Sequence, residues 1–300
     1  MTSPILTLAE LLAPYRTISI IGMAKNVGKT TTLNHLIEAF HRSGTSLGLT
    51  SIGRDGERVD IVTKTEKPEI FVYKNTVIAT AEKLLPLCDI TKEIIMSTEI
   101  NTPFGRVVLV RALSDGFIQL SGPSMTAQIA DLLEHISGDK VLVDCAVSRK
   151  TLANPSVTHA TILCTGAGFS RNMHKTIAET KHVVDMLTLP KFKGAIDSDE
   201  CMYISGAVTD SMVSGLIMTS ASPITIVAED SSKIFIKPAT YEKLRIKKIN
   251  LEVLHPIHLA GITINPFSPY HAGYDPADFL ARMCKVVEIP VFDLKSWTFS

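Results

Sequence analysis

Near the start of the chain, 22-GMAKNVGKTT-31 places two glycines, two lysines and two hydroxyls at the head of a segment with helical apolar spacing. Backbone N–H groups in such a turn, with the positive end of the helix behind them, form a cradle for phosphate oxygens. The candidate cradle is Gly22, Lys25, Asn26, Val27, Gly28, Lys29, Thr30 and Thr31. In that role Lys29 reaches the β- and γ-phosphates, Thr30 binds Mg²⁺, and Thr31 offers a small polar contact to the α-phosphate. One irregularity stands out. The common pattern G-x-x-x-x-G-K-[ST] needs glycine at position 23, where this chain has Met23, so five residues separate Gly22 from Gly28.

Phosphate chemistry with Mg²⁺ also needs a carboxylate at the end of a nearby strand. Asp144 closes the apolar run 140-KVLVD-144, and Asp55 lies in 51-SIGRDGE-57, just past another apolar run. Thr30, Asp55 and Asp144 are the candidate metal residues. Lys29 and Asp144 are the candidate catalytic groups, with Glu57 as a candidate for orienting water. A lone aspartate after an apolar run more often caps a turn; the loop in the same chain shifts the balance toward the metal role. No [NT]-K-x-D sequence follows Asp144, and the near match Thr63-Lys64-Thr65-Glu66 precedes it and ends in Glu. That favours ATP over GTP. Asn265 and Pro266 close 261-GITINP-266, where Asn-Pro reads as a turn; a late strand ending in Asn also resembles the one by which the dethiobiotin-synthetase branch of P-loop NTPases contacts adenine, and that resemblance makes the two candidate adenine contacts.

These groups need elements to hold them. Residues 17–21 read as a strand, and 28–43 as a helix with Leu33, Leu36, Ile37 and Phe40 on one face. Further strands are expected at 46–52, 106–112, 116–120, 140–144, 160–166 and 261–266, with 106–112 and 116–120 as neighbours. MYISGA and ITIVAED add two more in the second half. Helices are expected over 121–136, opened by hydroxyl caps and Pro123, and near 207–219 and 275–287. Apolar strands alternating with helices indicate an α/β fold, a mostly parallel sheet covered by helices on both faces. We expect one domain over 1–300. Its nucleotide core spans about 15–190, residues 250–300 return to it, and 191–248 is a candidate inserted lobe.

The chain has 300 residues, 45% of them apolar, and a formal net charge of zero. It can bury a large core, and it has no basic face for nucleic acid or an anionic membrane. Two windows without Asp, Glu, Lys or Arg, 151–170 and 211–228, carry Asn154, Pro155, His159, Pro223 and many hydroxyls. They read as buried strands and turns, not as the roughly 20 apolar residues of a membrane span. The start of the chain lacks a basic segment followed by a long apolar one, so no secretion signal is expected. Five cysteines without C-x-x-C spacing argue against a disulfide framework. The expected compartment is the cytoplasm.

Several segments together carry a resemblance. The loop ending V-G-K-T with a five-residue gap is similar to that of the dethiobiotin-synthetase branch of P-loop NTPases. The runs at 21–31, 51–57, S-G-P-S at 121–124, V-D-C-A-V-S-R-K at 143–150, 160–167, 229–236 and 262–269 resemble a bacterial P-loop family. Some of its members are described as a subunit of the lysine 5,6-aminomutase reactivase. The resemblance implies Mg-ATP held by Lys29, Thr30, Asp55 and Asp144. It also implies ATP-driven exchange of damaged cofactor from an adenosylcobalamin-dependent aminomutase, with that mutase and a second reactivase subunit as partners. A homodimer is the candidate assembly. Cys145 departs from the glycine expected beside the γ-phosphate. Two other functions stay open at this point: an ATP-dependent enzyme acting on a small carboxylate, and a nucleotide sensor without significant turnover.

Overall fold

A computed structural model describes residues 7–52, 69–145, 157–196, 198, 200–219 and 224–293. In chain order the helices are α1 (Leu8–Leu12), α2 (Lys29–Arg42), α3 (Thr126–His135), α4 (Met173–Leu187), α5 (Asp210–Thr219), α6 (Pro238–Ile246) and α7 (Pro276–Val286). The strands of the first half are β1 (Thr17–Gly22), β2 (Leu47–Ile52), β3 (Ile70–Val72), β4 (Val77–Ala81), β5 (Lys92–Thr102), β6 (Gly105–Ala112), β7 (Gly116–Ile118) and β8 (Lys140–Cys145). Those that follow are β9 (Ala160–Gly166), β10 (Cys201–Ile204), β11 (Val208–Thr209), β12 (Thr225–Asp230), β13 (Ile234–Phe235), β14 (Asn250–His255), β15 (Leu259–Asn265) and β16 (Val291–Asp293).

A nine-stranded sheet runs β16-β15-β9-β1-β8-β2-β4-β6-β5. Its pairings are parallel from β16 through β4, and β6 is antiparallel to both of its neighbours. Strand residues alternate between two cores. Ile18, Ile20, Leu49 and Leu142 pack with Leu33, Leu36 and Phe40 of α2 and with Leu8 and Leu12 of α1. Ile21, Val141 and Val143 pack on the other face with residues of α3, α4 and α7. This two-sided burial is why β1, β8 and β9 read as unbroken apolar runs. The α/β class and the helix-flanked, mostly parallel sheet follow the sequence expectation. Among the described residues no helix is long and apolar enough to cross a membrane.

Three local expectations are corrected. Residues 106–112 and 116–120 are not paired: β6 lies between β4 and β5, while β7 pairs with β3 in a small antiparallel ribbon. The helix expected from 121 opens at Thr126, with Met125 as its N-cap and no side-chain cap bond. The preceding Ser121–Ser124 segment is a loop pressed against β2, where a Cβ on Gly122 would sit 1.9 Å from the Ser51 carbonyl oxygen. Third, the return to the large sheet comes at β15 and not at residue 250. β14 pairs with β12 in a parallel three-stranded sheet, β10-β12-β14, because Leu251 and Val253 face the core formed with α5 and α6.

Candidate functional site

β1 is the strand at which the sheet order reverses, with β8 and β2 on one side and β9 and β15 on the other. In open α/β sheets the crevice beyond the carboxyl ends at such a point is where ligands bind. The loop after β1 fills it. Met23 continues the ladder: its amide donates to the Cys164 carbonyl at 3.0 Å, and its thioether accepts from Thr180 Oγ1 at 3.0 Å. The residue that breaks the common glycine spacing is therefore tied to β9 and α4, and the turn proper runs from Ala24 to Gly28.

Local chemistry shapes that turn. Gly28 takes φ +93° and Asn26 takes φ 59°, left-handed values that glycine accepts freely and asparagine tolerates. Val27 is buried in the α2-side core and pins the turn from below. Lys25 and Asn26 are exposed at its tip. No side chain caps α2, so the first-turn amides stay open toward the loop. Thr32 is not available to a ligand, since its hydroxyl donates to the Gly28 carbonyl at 3.0 Å and meets Thr263 Oγ1 at 2.9 Å. Thr30 and Thr31 precede it on the first turn, half-buried.

Lys29 folds back over the loop. A Cβ on Gly22 would come within 2.8 Å of Lys29 Cδ and 2.9 Å of Cγ, so glycine at 22 leaves the path for the lysine stem. Burial raises the Asp144 carboxyl above the ordinary carboxylate range, and the Lys29 ammonium opposes that shift. Asp144 stands next to Ile20 on β1 and to Ser51 on β2 in register. Its Oδ1 is shut off from solvent and has no hydrogen-bond partner among the described residues, and the same holds for Ser51 Oγ and Ser121 Oγ. Cys145 turns to the opposite core and is fully buried, and burial pushes its thiol far up. It does not face the loop.

The ends of β9 and β15 close the other side. Ala167 N donates to the Asn265 carbonyl at 2.9 Å, and Gly166 lies so close to that carbonyl that a Cβ would be 2.1 Å away. Asn265 Nδ2 donates to the Asn26 carbonyl at 3.3 Å, and its Oδ1 accepts from Phe267 N at 3.3 Å. The carboxamide thus braces the loop. The Pro266 carbonyl accepts from Tyr274 N at 2.8 Å. Asn26 Nδ2 donates to Tyr270 Oη at 2.7 Å, a contact with no signal in the sequence. Gly22 to Thr31, Asp144, Asn265 and Pro266 therefore converge at one end of the sheet. Asp55 and Glu57 lie outside the described residues. Ser51 and Ser121 entered the sequence reading only within the runs 51–57 and 121–124, and nothing in the sequence marks either serine as buried and unpartnered.

A cleft of about 710 Å³, lined by His35, Phe40, Asp139 and Lys140 among others, contains none of the loop residues. Among the described residues no three of His, Cys, Asp or Glu gather to hold a metal ion. What the loop's surroundings offer is one carboxylate with hydroxyl oxygens, a hard donor set that suits Mg²⁺, which keeps several of its waters. No protein-family model matches the chain, and no curated protein matches it.

Proposed function

We propose that residues 22–31 form a P-loop that binds Mg-ATP, and that the protein hydrolyses ATP to remodel a partner. The observations behind the reading are a buried Asp144 Oδ1 without a partner among the described residues, a Lys29 stem folded back over Gly22, and an α2 N-terminus with no side-chain cap. A buried carboxylate oxygen without a partner is costly unless something completes it. The loop amides and the α2 dipole would take the phosphate oxygens, and Lys29 would hold the β/γ bridge. Thr30 and Asp144 are the described residues that would hold the cation, with Asp55 as the sequence candidate for a third. When bound, Mg²⁺ supplies charge neutralisation at the phosphate oxygens. Water attacks the γ-phosphorus in line and ADP departs, with Lys29 stabilising the charge that develops. The partner we propose, on the resemblance alone, is an adenosylcobalamin-dependent aminomutase acting with a second reactivase subunit.

Calorimetric titration of ATP and GTP with Mg²⁺, on the native chain, Lys29→Ala and Asp144→Asn, tests the binding step. Micromolar ATP binding that Lys29→Ala abolishes supports it; equal binding by native and Lys29→Ala protein sinks it. Turnover measured with and without an aminomutase tests the coupling.

A further inference from the structure

Two buried hydroxyls lie at the carboxyl end of the large sheet, one of them in register with Asp144. Ser51 is 3% exposed and Ser121 is 1% exposed, and among the described residues the Oγ of each lacks a hydrogen-bond partner. Both are held rigidly. Ser51 is the penultimate residue of β2, paired there with β8. The Ser121 amide donates to Thr80 Oγ1 at 3.0 Å, and the next residue, Gly122, is clamped against the Ser51 carbonyl. Ser51 and Asp144 are register partners on parallel strands, so their side chains share the face covered by α2. Adjacent strands lie about 4.8 Å apart, and two oxygens across such a gap are well placed to share one water.

We propose that Ser51 and Ser121 are positioning residues for the hydration shell of the nucleotide's divalent cation, accepting hydrogen bonds from its waters alongside Asp144. The inference rests on the nucleotide reading of the loop. Mg²⁺ keeps several waters in a strict octahedron, and each must point its protons at an acceptor. A row made only of carboxylates would concentrate negative charge. One carboxylate flanked by neutral hydroxyls supplies the acceptors without that repulsion. A fold retains unpartnered buried hydroxyls where a ligand completes them.

The test uses the full chain with ADP and Mn²⁺, a paramagnetic substitute for Mg²⁺, reading bound Mn²⁺ by electron paramagnetic resonance and ADP affinity in EDTA by calorimetry. Ser51→Ala and Ser121→Ala are each expected to weaken Mn²⁺ binding in the presence of ADP by about tenfold, the scale of an outer-shell loss. ADP affinity in EDTA and the thermal midpoint should stay at native values or better, and Ser51→Thr should restore Mn²⁺ binding. Native Mn²⁺ affinity in both alanine variants overturns the proposal. So does an equal fall of ADP affinity in EDTA, or a lowered midpoint, either of which marks a structural role. If the native chain binds no ADP under either condition, the nucleotide reading and this inference fail together. If Lys29→Ala abolishes ADP binding while both serine variants match the native chain, only this inference fails.

Discussion

At the amino end of the large sheet, Lys140 is buried and its ammonium donates to the carbonyls of Leu12, Ala13 and Tyr15, the last at 2.8 Å. Beside it Asp139 accepts from Ser46 Oγ at 2.6 Å and Ser46 N at 3.0 Å, and those bonds hold its carboxyl below the usual carboxylate range. Thr17 Oγ1 meets His159 Nδ1 at 2.9 Å, and Arg16 reaches the Ile136 carbonyl at 2.8 Å. At the carboxyl end of the same strands, Asp144, Ser51 and Ser121 each keep a buried oxygen with no partner. The same strands therefore carry two chemistries. Polar groups at the amino end tie α1 and the strand starts together, whereas three at the carboxyl end, Asp144 Oδ1, Ser51 Oγ and Ser121 Oγ, are incomplete within the described residues. Groups that stabilise a fold are as a rule satisfied by it, so the unpartnered oxygens beside the loop are the ones the proposed nucleotide reading accounts for.

Substitutions at the two ends should separate stability from binding. Lys29→Ala should lose about 10²-fold in ATP affinity, the scale of two charge-assisted bonds, with an unchanged melting midpoint; calorimetry and thermal unfolding check both halves. Lys140→Met should do the reverse. Three carbonyls lose their donor, at a cost of about 1–3 kcal/mol in denaturant unfolding, while ATP affinity holds. Loss of affinity in that variant would break the separation.

Gly122→Ala forces a Cβ into the Ser51 carbonyl, 1.9 Å away, and should lower stability by about 1–2 kcal/mol through backbone displacement. Asp144→Asn tests the trade at the carboxyl end directly. Because burial raises this carboxyl in the folded state, folding favours the protonated form. Its contribution is full below the unfolded carboxylate value and lost as pH rises through the folded value. The neutral variant should therefore be about 1 kcal/mol more stable at pH 7, some 2 °C in midpoint, with no gain at pH 3, and should lose cation-dependent nucleotide binding.

The smallest effect is expected at His35, whose imidazole is held below its usual value of 6.5 chiefly by burial, against the opposing charge of Glu38. The stability it protects is present above about pH 6.5 and is lost as pH falls through the folded value. Denaturant midpoints between pH 7 and 5 should decline less steeply in His35→Gln than in the native chain.

Much of the fold was legible because its main signals are local. TISII, KVLVD and ATILCTG are apolar on both faces, and the helix after Gly28 repeats Leu33, Leu36, Ile37 and Phe40 at helical spacing. β4 and β5 were missed. β5 reads KEIIMSTEINT, with most of its side chains exposed or half-buried and two register irregularities against β6, so it has no clean alternation to find. The hydroxyls and Pro123 before α3 suggested a cap, but the tight contact of Gly122 with β2 holds that segment as a loop.

The sequence by itself determined the strand–turn–helix make-up of the loop, because strand, glycine turn, lysine and helix head are contiguous and their geometry follows from local backbone conformation, with Gly28 in the left-handed region. It also supplied Asp144 at the end of its apolar run. Only the tertiary structure decided what stands next to what. The tie from Met23 to β9 and α4, the brace from Asn265 to Asn26, the register of Asp144 with Ser51 and the approach of Gly122 to the Ser51 carbonyl all link residues far apart in the chain. Strand order and register bring them together, and those are set by how the two cores pack against the sheet, which no single segment encodes.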